Sequence, residues 1–95
     1  MLNNLNNKKK YIEWMYSNFN NSSGTISSYI RAIEILSKVL DKDIFSIIEV
    51  ETLNELYSDL LDHQRDENGK YFYKEAQSYG KKGFYSAAIY SLEII

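Results

Sequence analysis

The 95 residues amount to 11.2 kDa, enough for one compact core and too few for two. The chain has no Pro, no Cys and four Gly, which excludes a disulfide framework, a cysteine zinc site, a thiol nucleophile, a Pro-rich linker and a glycine-rich phosphate loop. A formal charge of −2 from 11 basic and 13 acidic residues excludes a chain that is basic overall.

The opening stretch, residues 1–10, is rich in Asn and Lys with little to bury, and is expected to be a flexible leader to a single helical domain over residues 11–95. Tyr11, Ile12, Met15, Tyr16 and Phe19 recur at three- and four-residue spacing and predict a first helix, ended by Asn18 and the Asn/Ser/Gly run to Gly24. Thr25 is the expected N-cap of a second helix running to about Leu40. Its stripe of Ile26, Tyr29, Ile30, Ile33, Leu36 and Leu40, widened by Ile35 and Val39, predicts a central helix with neighbours on more than one side. After Asp41-Lys42-Asp43, the residues Ile44, Phe45, Ile47 and Ile48 predict a buried connector or a single helical turn.

Thr52-Leu53-Asn54-Glu55 has the spacing of a capping box, and Leu53, Leu56, Tyr57, Leu60 and Leu61 follow a helical template without a miss. The polar run 62–70 is expected to be a solvent loop. A fourth segment, Tyr71 to Tyr79, carries Phe72, Ala76 and Tyr79 at helical spacing. It breaks at Gly80-Lys81-Lys82-Gly83, where either Gly suits a left-handed helix end. A fifth helix begins near Tyr85 or Ser86, with Ala88, Ile89, Leu92 and Ile95 inward. The expected fold class is all-α: a compact bundle of four to five short helices.

No apolar run approaches the roughly 20 residues of a membrane span, and the N-terminus lacks the apolar core of a secretory signal. Together these point to a cytoplasmic protein that does not engage membranes. The apolar end at Ile94 and Ile95 suggests either a longer chain or a docking point for a partner.

Catalytic chemistry is sparse. The single His, His63, has Asp62 and Asp66 nearby, yet no nucleophile-elbow pattern accompanies it, and a His in a polar loop is most simply solvated. Asp41 and Asp43 flank a Lys, a pattern that serves helix capping and turns before it serves a cation. No catalytic residue, metal ligand or cofactor is expected, and the domain is not expected to be an enzyme by itself.

Charge distribution says more than charge. Residues 41–67 hold nine acids against Lys42 and Arg65, a net of −7, and the remainder holds nine bases against four acids, a net of +5. Bases interleave with rings in Lys70-Tyr71-Phe72-Tyr73-Lys74 and in Tyr79-Gly80-Lys81-Lys82-Gly83-Phe84-Tyr85. That pattern fits a nucleic-acid surface with stacking rings, or core rings beside solubilising lysines.

The run Thr25-Ile26-Ser27-Ser28-Tyr29-Ile30-Arg31-Ala32-Ile33, then Leu36 and Leu40, Asp43 to Ile47, Leu53, Leu56, Tyr57 and Leu60, and finally Tyr85 to Ile89, resembles the small helical domain attached to bacterial restriction-type endonucleases and methyl-directed restriction proteins. More loosely, it is similar to the SAM-like core-binding domain of tyrosine recombinases. The resemblance covers roughly residues 10–95 and rests mainly on core and cap positions. It implies a non-catalytic, DNA-associated accessory domain beside a nuclease, translocase or recombinase domain. The residues that would take the DNA-contacting role are Ser27, Ser28, Arg31 and Lys38 on the second helix, and Lys81, Lys82, Tyr85 and Ser86 near the fifth. The acidic middle departs from the core-binding pattern. A second class of function is a protein-interaction or self-association module, including a small antagonist of a bacterial defence system, that uses the apolar end or the acidic face.

Overall fold

The structure is a computed structural model, described here over residues 4–18, 23–47 and 49–93. Five α-helices follow one another: α1 (Asn4–Asn18), α2 (Ser23–Leu40), α3 (Val50–His63), α4 (Gln77–Lys81) and α5 (Phe84–Glu93). Short 3₁₀ turns at Ile44–Ser46 and Lys74–Ala76 complete the described residues, which contain no strand. The all-α bundle expected from periodicity is the observed fold. No helix among the described residues is long and apolar enough to cross a membrane.

The core forms where the periodic stripes meet. Tyr11 and Met15 of α1, Ile26, Ile33 and Leu36 of α2, Leu53 and Leu60 of α3, and Ala88 and Ile89 of α5 are all buried. The wide stripe of α2 has the expected consequence: this helix packs on α5, on α1 and on the Ile44–Ser46 turn. Ile44, fully buried, anchors that turn, so the expected connector is one turn of 3₁₀ helix. Asp41 ends α2 in the left-handed region at φ 53°, and the Lys42 amide closes back on the Ser37 carbonyl at 3.1 Å. That six-to-one bond satisfies a carbonyl that the helix end would otherwise leave bare.

Several boundaries differ from expectation. α1 starts at Asn4, so the described part of the expected leader is helical; its Asn7 side chain donates to Ser46 Oγ at 2.8 Å, and Lys8 pairs with Glu34 of α2. These tethers hold a stretch whose composition alone offers little to bury. Tyr16 is exposed rather than inward, and Phe19, Ile48, Ile94 and Ile95 lie outside the described residues. α3 starts at Val50, two residues ahead of Thr52, because the Leu53 amide reaches the Glu49 carbonyl. Thr52 therefore sits inside the first turn and no capping box forms; its hydroxyl faces the Glu49 carboxylate at 3.5 Å.

The largest departure is in the polar run after α3. Gln64 is 3 % exposed. Its side-chain oxygen accepts from the Ser86 amide at 3.1 Å, and its Nε2 donates to Ser86 Oγ at 2.8 Å. The Ser86 amide is one of the first-turn donors of α5 that have no partner within the helix, so Gln64 caps α5 from 22 residues upstream. Gly80 lies inside α4 rather than at its end, against the Gln64 backbone: a Cβ there would stand 2.5 Å from the Gln64 carbonyl oxygen. The left-handed residue is Gly83, φ 78°, just before α5.

Gly80→Ala must push α4 off the Gln64 backbone. It is expected to lower unfolding free energy by about 1–3 kcal/mol in urea titration, the range of an overpacked core site; an unchanged midpoint would show that α4 does not rest there.

Candidate nucleic-acid interface

The outer surface of α2 positions the candidate contacts. Successive helical residues turn by about 100°, so Ser27, Arg31, Glu34 and Lys38 fall on one stripe, opposite buried Leu36. Ser27, Arg31 and Lys38 are exposed, whereas Ser28 is half-buried to one side. The acid in the stripe, Glu34, is paired with Lys8 of α1. Neither Arg31 nor Lys38 has a carboxylate within ion-pair distance among the described residues. The Lys38 ammonium lies over the Tyr73 ring, 5.8 Å from its centroid, in cation–π geometry. Tyr29, on the other side of α2 from this stripe, meets Phe84, which meets Tyr79, which stacks on Tyr85.

Two of the expected contacts are corrected. Tyr85 is 1 % exposed and Ser86 is buried. With α5 starting at Phe84, both side chains turn into the bundle, Tyr85 toward Tyr79 and Gly80, and Ser86 onto Gln64 and the Gly83 carbonyl. Neither side chain is presented at the surface. The Tyr85 hydroxyl has no hydrogen-bond partner among the described residues. Burial pushes its pKa up to about 12, aided by the neighbouring Tyr79 and Tyr73 and opposed by the Arg31 charge.

The basic and aromatic segment 70–85 divides between the two readings. Tyr71 is 2 % exposed and its hydroxyl donates to Asp59 of α3. Lys70 pairs with the same carboxylate at 2.9 Å, and Lys81 pairs with Glu67 at 3.1 Å. The acidic middle thus neutralises two lysines of the late cluster. Lys82 and Lys74 are exposed without an ion pair among the described residues, and Phe72 is the ring left outside. What the sequence reading missed is the neutralisation of Glu34 by Lys8 and the seating of Lys38 on Tyr73. Both join residues far apart in the chain, and the stripe itself is visible in the spacing 27, 31, 34, 38.

Elsewhere, His63 is exposed on α3, 3.8 Å from an Asp59 oxygen, with no nucleophile placed beside it by the hydrogen bonds of this region. Among the described residues no three His, Cys, Asp or Glu side chains converge as a metal site. Asp43 accepts from Ser46 within the 3₁₀ turn, and Asp41 serves the α2 end. Comparison with protein-family models, curated proteins and solved structures returned no match.

Hydrogen bonds from Tyr71, then from Lys70, hold the Asp59 carboxyl below its ordinary value. A carboxyl whose pKa falls on folding stabilises the fold above the unfolded value, near 3.9, and loses that contribution as pH falls through the folded value. Asp59→Asn is therefore expected to be less stable than the parent at pH 7, with the gap closing below about pH 4; a pH-independent gap in urea titrations would contradict this linkage. Tyr85→Phe removes a buried hydroxyl with no partner among the described residues, so stability should hold or rise by about 1 kcal/mol. A loss of stability above about 1 kcal/mol would mean the hydroxyl has a partner.

Proposed function

We propose that the chain is a non-catalytic, DNA-associated helical module that contacts the phosphate backbone through the outer stripe of α2 and acts beside a nuclease, translocase or recombinase domain of a bacterial restriction or mobile-element system. The observation that supports this is the state of the stripe. Lys8 pairs with its one carboxylate, and Arg31 and Lys38 are exposed without an ion pair among the described residues, flanked by the Ser27 hydroxyl. Phosphate contacts draw on this combination of cations and short hydroxyl donors. The resemblance of residues 10–95 to restriction-associated and core-binding domains agrees with it.

Few cations make this a weak binder that works by proximity. With two phosphate contacts from Arg31 and Lys38, the logarithm of affinity is expected to fall against the logarithm of salt with a slope near −2, since each neutralised phosphate contributes about −0.9. Fluorescence anisotropy with a short duplex, at several salt concentrations, measures the slope. Arg31→Glu with Lys38→Glu should weaken binding at least about tenfold and flatten the slope by about 2, while Tyr85→Phe leaves both unchanged. Salt-independent binding, or binding indifferent to the paired substitution, would refute the reading.

A further inference from the structure

Among the described residues, three of the five exposed large hydrophobics, Val50, Leu61 and Tyr90, gather on the face opposite in character to the α2 stripe. On α3 the spacing Val50, Asn54, Tyr57, Leu61 runs four, three, four, which places all four on one outward line, the spacing of a helix-pairing seam. α5 runs antiparallel beside it: Gln64 meets Ser86, Tyr57 meets Tyr90 with ring centroids 6.0 Å apart, and the Asn54 amide lies 2.7 Å from the Glu93 carboxylate. Tyr90 thereby widens the line into a strip. At its Val50 end, Val50 and Glu93 also border a cleft of about 260 Å³ lined by Tyr11, Phe45, Leu53 and Leu92.

Among the described residues the charge along the strip is acidic, and the one cation beside it is Lys10 of α1, at the rim of the cleft beyond Val50. Neither α3 nor α5 contains a Lys or Arg. Glu51, Glu55 and Asp62 are exposed along one flank of the strip, and Glu93 lies along the other. Two copies of this face would set carboxylates against carboxylates, which selects against self-pairing. An apolar helix edge flanked by Lys and Arg meets both features at once, its apolar residues on Val50, Tyr57, Leu61 and Tyr90 and its cations over the acidic rims.

We propose that the α3–α5 face is a docking surface for a basic amphipathic helix of a partner protein or domain, with the cleft beside Val50 taking one large apolar side chain. This surface is separate from the α2 stripe, so the two are tested independently. The probe is a fluorescent synthetic helix as long as α3, built from Leu and Lys at three- and four-residue spacing. Its controls are a scrambled sequence of the same composition and a version with Glu for Lys. The full chain should bind the amphipathic basic helix at least about tenfold more tightly than either control. Leu61→Ser with Tyr90→Ser should weaken binding at least tenfold, and so should Glu51→Lys with Asp62→Lys, whose side chains are exposed and leave the core intact. Arg31→Glu should not weaken it. Far-UV circular dichroism confirms the helical fold of each variant. Equal affinity for the scrambled peptide, indifference to either paired substitution, or concentration-dependent self-association abolished by the Leu61 change would overturn the proposal.

Discussion

Gln64 is the side chain through which α3, α4 and α5 are held to one another. Its amide group is shared with Ser86 in two directions, and its backbone carbonyl is the surface on which Gly80 rests. A buried amide is tolerable only when its donors and acceptors are met, and here the capping of α5 meets them. Because α5 is fixed at that end, Tyr90 falls beside Tyr57 and Glu93 beside Asn54, and the register of the whole α3–α5 pair follows. The other end of α5 is tied to α1 by the buried hydrogen bond between Tyr11 and Ser91, 2.7 Å long. Burial pushes the Tyr11 hydroxyl up to a pKa of about 12 despite that bond.

This arrangement decides which charges remain available. The acidic middle of the chain does not stand apart as one pole: Asp59 takes Lys70 and Tyr71, and Glu67 takes Lys81. Among the described residues, the bases outside these pairs include Arg31 and Lys38 on α2, Lys9 and Lys10 on α1, and Lys74 and Lys82 around α4, and the acids outside them include Glu51, Glu55 and Asp62 on α3. A net charge of −2 therefore resolves into a cationic edge on α2 and an acid-rimmed apolar strip on α3 and α5. Exposed ion pairs such as Lys70–Asp59 contribute little individually to stability; their effect here is to remove lysines from the surface field.

The helices were legible because Met15, Leu36, Leu60 and Ile89 repeat at the period that a helix needs to bury one face. The wide stripe of α2 correctly foretold a helix with several neighbours. Gln64 was not legible, since an amide inside the run Asp62 to Lys70 looks like its solvated neighbours until Ser86 is known to face it. Tyr85 and Ser86 were named as contacts from the resemblance, which rests on core and cap positions, whereas the start of α5 at Phe84 turns both inward. The exposure of Ser27, Arg31 and Lys38 is legible because their place on the outer side of one helix depends on local spacing alone. The pairing that shapes their field, Lys8 with Glu34, depends on how α1 packs on α2.

The central claim is that the two faces are separate in function, with phosphate contact confined to α2. Amide chemical-shift mapping during titration with a short DNA duplex tests it most directly. The account predicts shifts clustered at Ser27, Arg31 and Lys38, extending to Tyr73 and diminishing as salt is raised, with Val50, Tyr57, Leu61 and Tyr90 unmoved. Shifts centred on α3 and α5, or no salt-sensitive shifts on α2, would contradict it.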